Sequence, residues 1–179
     1  MHKLFLIILI MFYSNKSFSK YSSFVDNETS QIISTHLGTK YLIGKANYSF
    51  LIWNVYDAEL YSDKKKFNPN RYAIILKYNR SIAKERLVIE TIEDIKAQKK
   101  LTPNKINQWT NILDSIYQET QAGKKFIAIR LNISSSVFYY DNKKIYKSTD
   151  KEFNELFFNI WLRENSKNPE FTKNLLGNK

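Results

Sequence analysis

The sequence predicts an α+β protein: a long antiparallel β-sheet with a layer of helices packed on one face. Three observations carry this expectation. The run Tyr48–Tyr61 is rich in aromatic and β-branched residues and holds no proline, as a long strand does. Phe153, Leu156, Phe157, Ile160 and Trp161 recur at i, i+3, i+4, i+7 and i+8, the spacing of one helix face. The order of elements (two strands, two helices, three strands, two helices) is not the strict alternation that builds a parallel α/β sheet.

Taken in order, residues 20–40 are polar with scattered apolar positions and read as a lead-in with one short strand around Gln31–Ser34. The run Tyr48–Tyr61 follows, and at about 3.3 Å per residue it exceeds an ordinary strand, so a bulge or bend is expected within it. Alternation sets Tyr48, Phe50, Ile52, Asn54, Tyr56, Ala58 and Leu60 on one face and Leu51, Trp53, Val55, Asp57, Glu59 and Tyr61 on the other. Both faces are largely apolar, which places the strand centrally in the sheet. The lysines, Asn68 and Pro69 of Ser62–Asn70 make a turn, and Arg71–Tyr78 a second, antiparallel strand.

Ser81 is positioned to cap a helix over Ile82–Lys100, in which Val88, Ile92 and Ile95 keep helical spacing. Thr102-Pro103 opens the next helix, with Ile106, Trp109, Leu113 and Ile116 as its apolar stripe and Gly123 as its stop. Lys125–Leu131, Ser136–Tyr140 and Lys144–Lys147 read as three strands, the last two joined by a hairpin turn at Asp141-Asn142-Lys143. Thr149 and Glu152 have the spacing of a capping box for the strongly striped helix, and Asn168-Pro169 begins a short last helix ended by Gly177.

The N-terminus has the plan of a secretory signal peptide: a positive end (His2, Lys3), an apolar run Leu4–Tyr13 and Ser17-Phe-Ser19 at the small-x-small cleavage position. The apolar run is short of the about 20 residues that span a bilayer. Cleavage near Ser19 leaves 20–179 as a single domain, periplasmic or secreted. Lys and Arg number 28 against 17 Asp and Glu, a net charge of +11, and removal of a leader leaves the chain strongly basic. The lysine runs 64–66, 99–100, 124–125 and 143–144 fall at turns and element ends, where solvated lysines are ordinary. An exported protein rarely meets nucleic acid, so the functional alternative for this charge is contact with anionic lipid headgroups or other acidic envelope material. There is no cysteine, hence no disulfide framework, thiol nucleophile or lipid-modified cysteine.

The chemistry is sparse. His36 is the only histidine left after the leader, which is too few ligands for a metal site, and neither a phosphate loop nor a nucleophile elbow is present. No cofactor is implied. Asp57 and Glu59, two apart on a strand, project to one face about 7 Å apart and have the arrangement of carboxylates that share proton work. The plainer reading sets them at the rim of the sheet, where Glu59 pairs with Arg71 or a turn lysine. Tyr48 and Tyr56 on the opposite face either line a pocket or fill the core. The candidate ligand-binding residues are thus Tyr48, Trp53, Tyr56, Asp57, Glu59, Tyr78 and Arg80, with no catalytic residue or metal ligand assigned.

Val55-Tyr56-Asp57-Ala58-Glu59-Leu60-Tyr61, Leu76-Lys77-Tyr78-Asn79-Arg80-Ser81-Ile82, Ile160-Trp161-Leu162 and Leu175-Leu176-Gly177 together resemble the bacterial chalcone isomerase-like family over about residues 40–177. The resemblance implies an open-faced β-sandwich. Enzymes of this fold use an arginine before the long strand, a threonine within it and a tyrosine at the helix after the next strand, and fatty-acid-binding relatives keep the arginine and tyrosine for a carboxylate. Here the threonine position is Leu51, the tyrosine falls near Ala83, and no arginine lies between Thr39 and Trp53. Cyclising a chalcone needs a cation for the phenolate. The resemblance therefore implies a non-catalytic protein that binds an apolar or amphipathic small molecule between sheet and helices, with an isomerase or intramolecular lyase using a rearranged site, or an envelope interaction protein, as alternatives.

Overall fold

Residues 23–178 are described by the computed structural model, and the leader expected over 1–19 lies outside them. Six strands form one antiparallel sheet in simple chain order: β1 (Tyr41–Phe50), β2 (Trp53–Ser62), β3 (Tyr72–Tyr78), β4 (Lys125–Asn132), β5 (Ser135–Tyr140) and β6 (Lys143–Ser148). Among the described residues five helices accompany them: α1 (Asn27–Leu37), α2 (Lys84–Gln98), α3 (Pro103–Ile116), α4 (Lys151–Leu162) and α5 (Pro169–Leu175). α2 and α3 interrupt the meander between β3 and β4. With α4 and α5 they cover one face of the sheet, as the sequence predicts.

The run read as one central strand is instead the β1–β2 hairpin. Phe50 pairs with Trp53, so Leu51 and Ile52 alone make the turn, and Leu51 adopts a positive φ of 54°. Two-residue hairpin turns favour Asn and Gly because these residues tolerate positive φ. A turn built from Leu-Ile carries no such signal, so β-propensity runs straight through it. β1 consequently lies at the sheet edge and β2 beside it.

The main core lies between the helical layer and the sheet. Leu60, Ile74, Phe126 and Phe138 from the strands meet Trp109, Leu113, Phe153 and Phe157 from the helices, all essentially without solvent exposure. Phe157 stands edge-on to Phe138 at 5.3 Å and to Trp161 at 5.3 Å, the offset geometry that aromatic quadrupoles favour. On the opposite face the expected strand around Gln31–Ser34 is replaced by helix α1. Its cap Asp26 accepts from the Thr29 amide at 2.8 Å, and Thr29, Ile33 and Leu37, four apart, are the buried positions. Ile33 and Leu37 pack on Ile75, Ile127, Ile129 and Val137, forming a second, smaller core.

Two further boundaries differ from expectation for local reasons. Helix α2 starts at Lys84 rather than after Ser81, because Thr120 holds the preceding residues extended: its hydroxyl accepts from the Ile82 amide at 2.8 Å and donates to the Arg80 carbonyl at 3.0 Å. Helix α4 is capped by Asp150, not by the Thr149–Glu152 pair. Asp150 accepts from the Phe153 amide at 3.0 Å and from the Trp109 indole at 2.9 Å, while Glu152 pairs with Lys99 and Lys105. Beyond α3, which ends at Ile116, the Gly123 amide donates to the Tyr78 carbonyl at 2.8 Å, so this glycine serves the approach to β4.

A candidate ligand-binding pocket between sheet and helices

A cavity of about 620 Å³ opens where the β1–β2 hairpin leaves the helical layer. Its floor is three cross-strand neighbours: Tyr48 of β1 pairs with Tyr56 of β2, which pairs with Tyr78 of β3. The Tyr48 and Tyr56 rings stack with centroids 5.0 Å apart and an interplanar angle of 23°. Phe171 of α5 stands edge-on to both, at 6.4 and 5.9 Å, and closes one side. Leu87 and Thr91 of α2, Tyr117 beyond α3, and Ile160 and Trp161 of α4 complete the walls.

The polar groups inside are few and oriented. Trp161 donates its indole N–H to the Tyr56 hydroxyl at 3.2 Å, and the Thr91 and Tyr117 hydroxyls lie 3.0 Å apart. Burial raises the phenol pKa values of Tyr56, Tyr78 and Tyr117 above the ordinary value. These phenols stay protonated at any physiological pH. They offer hydrogen bonds and no general base.

Charge gathers at the mouth. Arg86, Glu90 and Asp94 follow at i, i+4 and i+8 on α2, and Arg80 and Lys167 stand beside them. The two acids are engaged: Asp94, buried, is held by Arg163 at 2.5 Å, and Glu90 by Arg86 at 2.8 Å, with Lys167 3.9 Å from Glu90 and 3.8 Å from Asp94. Arg80 makes no ion pair among the described residues. Its guanidinium lies over the Trp53 ring, 4.8 Å from the centroid, a cation–π contact that leaves it available to an anion. The Thr120 bonds described above fix its backbone at the mouth.

Of the residues singled out in the sequence, Tyr48, Tyr56, Tyr78 and Arg80 converge on this cavity, and Trp53 flanks its mouth through Arg80. Asp57 and Glu59 do not reach it, since they project from the other face. Asp57 accepts from Asn47 at 2.6 Å and from Asn79 at 3.0 Å. The rim reading of Glu59 is overturned: it is 0% exposed, bound to Lys45 at 2.8 Å and to the Ser23 and Tyr61 hydroxyls at 2.8 Å each. Glu59 and Lys45 are direct partners across β1 and β2, a pairing invisible while the hairpin is read as one strand. Arg71 instead donates to the His36 carbonyl. Leu51 and Ala83, the positions matched to the enzymes' threonine and tyrosine, do not line the cavity.

The lysine runs have mixed surroundings. Lys64–66 are exposed, whereas Lys99 pairs with Glu152, Lys124 with Asp141 and the buried Lys125 with Asp26. Among the described residues no three His, Asp or Glu side chains stand close enough to hold a metal.

This is an α+β protein with an open antiparallel sheet, consistent with the chalcone isomerase-like fold. Among solved structures it is similar to a fatty-acid binding protein of Arabidopsis thaliana, with a TM-score of 0.60 and 10% identity over 78% of this chain and 87% of that one. At that identity the likeness concerns the fold alone. No protein-family profile matches the chain, and no curated protein matches it in sequence.

Proposed function

We propose that this chain is an exported member of the bacterial chalcone isomerase-like family that binds an amphipathic small molecule, a long-chain carboxylate above all, without transforming it. The observation that carries the reading is the cavity of about 620 Å³, floored by tyrosines and with an arginine at its mouth that makes no ion pair among the described residues. Its volume lies within the range of small-molecule sites, about 300–1,000 Å³, and its walls are mostly apolar with a few convergent donors. An alkyl chain fits against Tyr48, Tyr56, Phe171 and Trp161, leaving the carboxylate at Arg80 and Arg86. That the structural neighbour is a fatty-acid binding protein is in keeping with this chemistry. The leader-like N-terminus supports the envelope as its place of action.

The test is displacement of a fluorescent fatty acid in solution, together with native mass spectrometry of protein purified from its own envelope. Arg80→Ala should weaken a carboxylate by about fivefold, the scale of an exposed ion pair. The matching alcohol should be unaffected. Absence of both a retained ligand and measurable fatty-acid binding would remove the reading. The convergence of Tyr48, Tyr56 and Arg80 on one cavity favours a second reading, an isomerase or intramolecular lyase with a rearranged site. It predicts protein-dependent cyclisation of a chalcone. Since the phenols inside stay protonated and the lining acids are engaged by cations, we expect no rate above background.

A further inference from the structure

The tip of the β1–β2 hairpin is apolar and open to solvent: Leu51 is 82% exposed, Ile52 86%, Phe50 60% and Trp53 53%. Four consecutive large apolar residues on a projecting turn are unlike the scattered exposed hydrophobics of ordinary surfaces. Turn formation does not explain them. Leu51 sits at a φ of 54°, a region that costs a non-glycine residue energy and that Asn or Gly would occupy at once. The sequence keeps a strained leucine and a β-branched neighbour where hydrogen bonding and backbone freedom favour small polar residues.

The tip also joins the cavity. Phe50 lines the cavity, and Trp53 supports Arg80, which lines it too. Arg86 and Lys167 stand at the same opening, and the acids there, Glu90 and Asp94, are engaged by cations. Asp57, further down β2, is occupied by Asn47 and Asn79. Apolar side chains ahead of a surplus of cations, on a chain of net charge +11, complement an anionic lipid surface. Tryptophan and arginine are suited to the headgroup boundary, where an apolar body and a polar edge are both solvated. No helix among the described residues is long and apolar enough to cross a membrane, so this contact would be peripheral.

We infer that the Phe50–Trp53 tip inserts into an anionic lipid surface and holds the cavity mouth at headgroup level, so that an amphiphile passes between bilayer and cavity without crossing water. The docking stands on the tip and its charge; the transfer rests on the binding function proposed above. Arg80 serves both, meeting lipid phosphate from outside and the ligand's anionic end at the mouth.

The experiment uses the purified protein with vesicles of mixed phosphatidylcholine and phosphatidylglycerol, and with phosphatidylcholine alone. Trp109 and Trp161 are already buried, so a blue shift of tryptophan emission on vesicle addition reports Trp53. The expected result is a blue shift and sedimentation with the anionic vesicles, weakened by salt. The double variant Leu51→Asn/Ile52→Gly supplies a favoured hairpin turn and should retain the thermal midpoint, yet lose vesicle affinity by about tenfold or more. Its fatty-acid affinity in lipid-free solution should stay unchanged. Fatty-acid binding by a protein that ignores vesicles would overturn docking and leave the cavity reading intact. Vesicle binding that depends on the tip in a protein with no fatty-acid affinity supports docking and removes the transfer role. Equal partitioning of the double variant and the natural chain, or a dimer that the double variant abolishes, would overturn the proposal in favour of another surface or a second copy of the chain.

Discussion

Replacing Trp161 by alanine is the most informative single perturbation of this fold, because the indole belongs to both the core and the cavity wall. The side chain is 6% exposed, packs on Phe157 at 5.3 Å and donates to the Tyr56 hydroxyl at 3.2 Å. A buried tryptophan cut to alanine costs about 3–5 kcal/mol, part transfer and part cavity. Here the space left behind is continuous with a cavity that already exists, so water or ligand can enter it and the void contribution shrinks. The loss should therefore lie near the lower end, about 3 kcal/mol. Trp161→Phe keeps most of the packing and removes the N–H, for an expected loss of about 1 kcal/mol. Urea titration at neutral pH reads both. A loss below about 1 kcal/mol for the alanine variant would mean that the α4 stripe is not packed as described.

Other expectations are more local. Gly44→Ala should destabilise by about 2 kcal/mol and impair ligand binding, because a Cβ there would lie 2.4 Å from the Asn174 and Leu175 carbonyl oxygens and drive α5 off β1; an unchanged melting temperature would contradict this contact. Asp26, hydrogen-bonded by Lys125 and the Thr29 amide, has its carboxyl pKa lowered from 3.8 to about 2. Its stabilising contribution is thus present above about pH 4 and is lost as pH falls towards 2. Asp26→Asn, which keeps an α1 cap without the charge, should flatten the dependence of the urea midpoint on pH in that interval. A slope that persists would assign it to other carboxylates.

The helical half of the fold was legible because its signals are local. Thr102-Pro103 starts α3, Asn168-Pro169 starts α5, and the Phe153–Trp161 stripe specifies the buried face of α4. What misled was a turn without turn residues. Leu51-Ile52 looks like strand by propensity, and folding the run in two changes the partner of every residue in it, bringing Lys45 opposite Glu59 and Asn47 opposite Asp57. Helix α1 was missed because its apolar face is narrow, just Ile33 and Leu37 below Thr29. Within the cavity, Tyr48, Tyr56, Tyr78 and Arg80 were reachable from alternation and from the end of β3. The cluster Arg86, Glu90 and Asp94 had a signal, charge at every fourth residue of a helix, that went unused. Tyr117 and Lys167, in connecting segments, had none.

The short helix α5 gives the cavity an uneven perimeter. It has seven residues, too few to hold helical structure unaided, and it is kept in place by the Asn168 cap, by Thr172 bonds to Ser166 and the Trp161 carbonyl, and by the backbone contact of its C-terminal end with Gly44. Opposite it, α2 is fifteen residues long and buried along its length by Val88, Ile92 and Ile95. Local unfolding begins where fewest apolar contacts must be broken. Amide exchange over Phe171–Leu175 should therefore be faster than over α2 and slow sharply when a ligand rests against Phe171. The cavity thus has one firm wall along α2 and one along α5 that an occupant stiffens by resting on Phe171, while its mouth stays open beside Arg80 and Arg86.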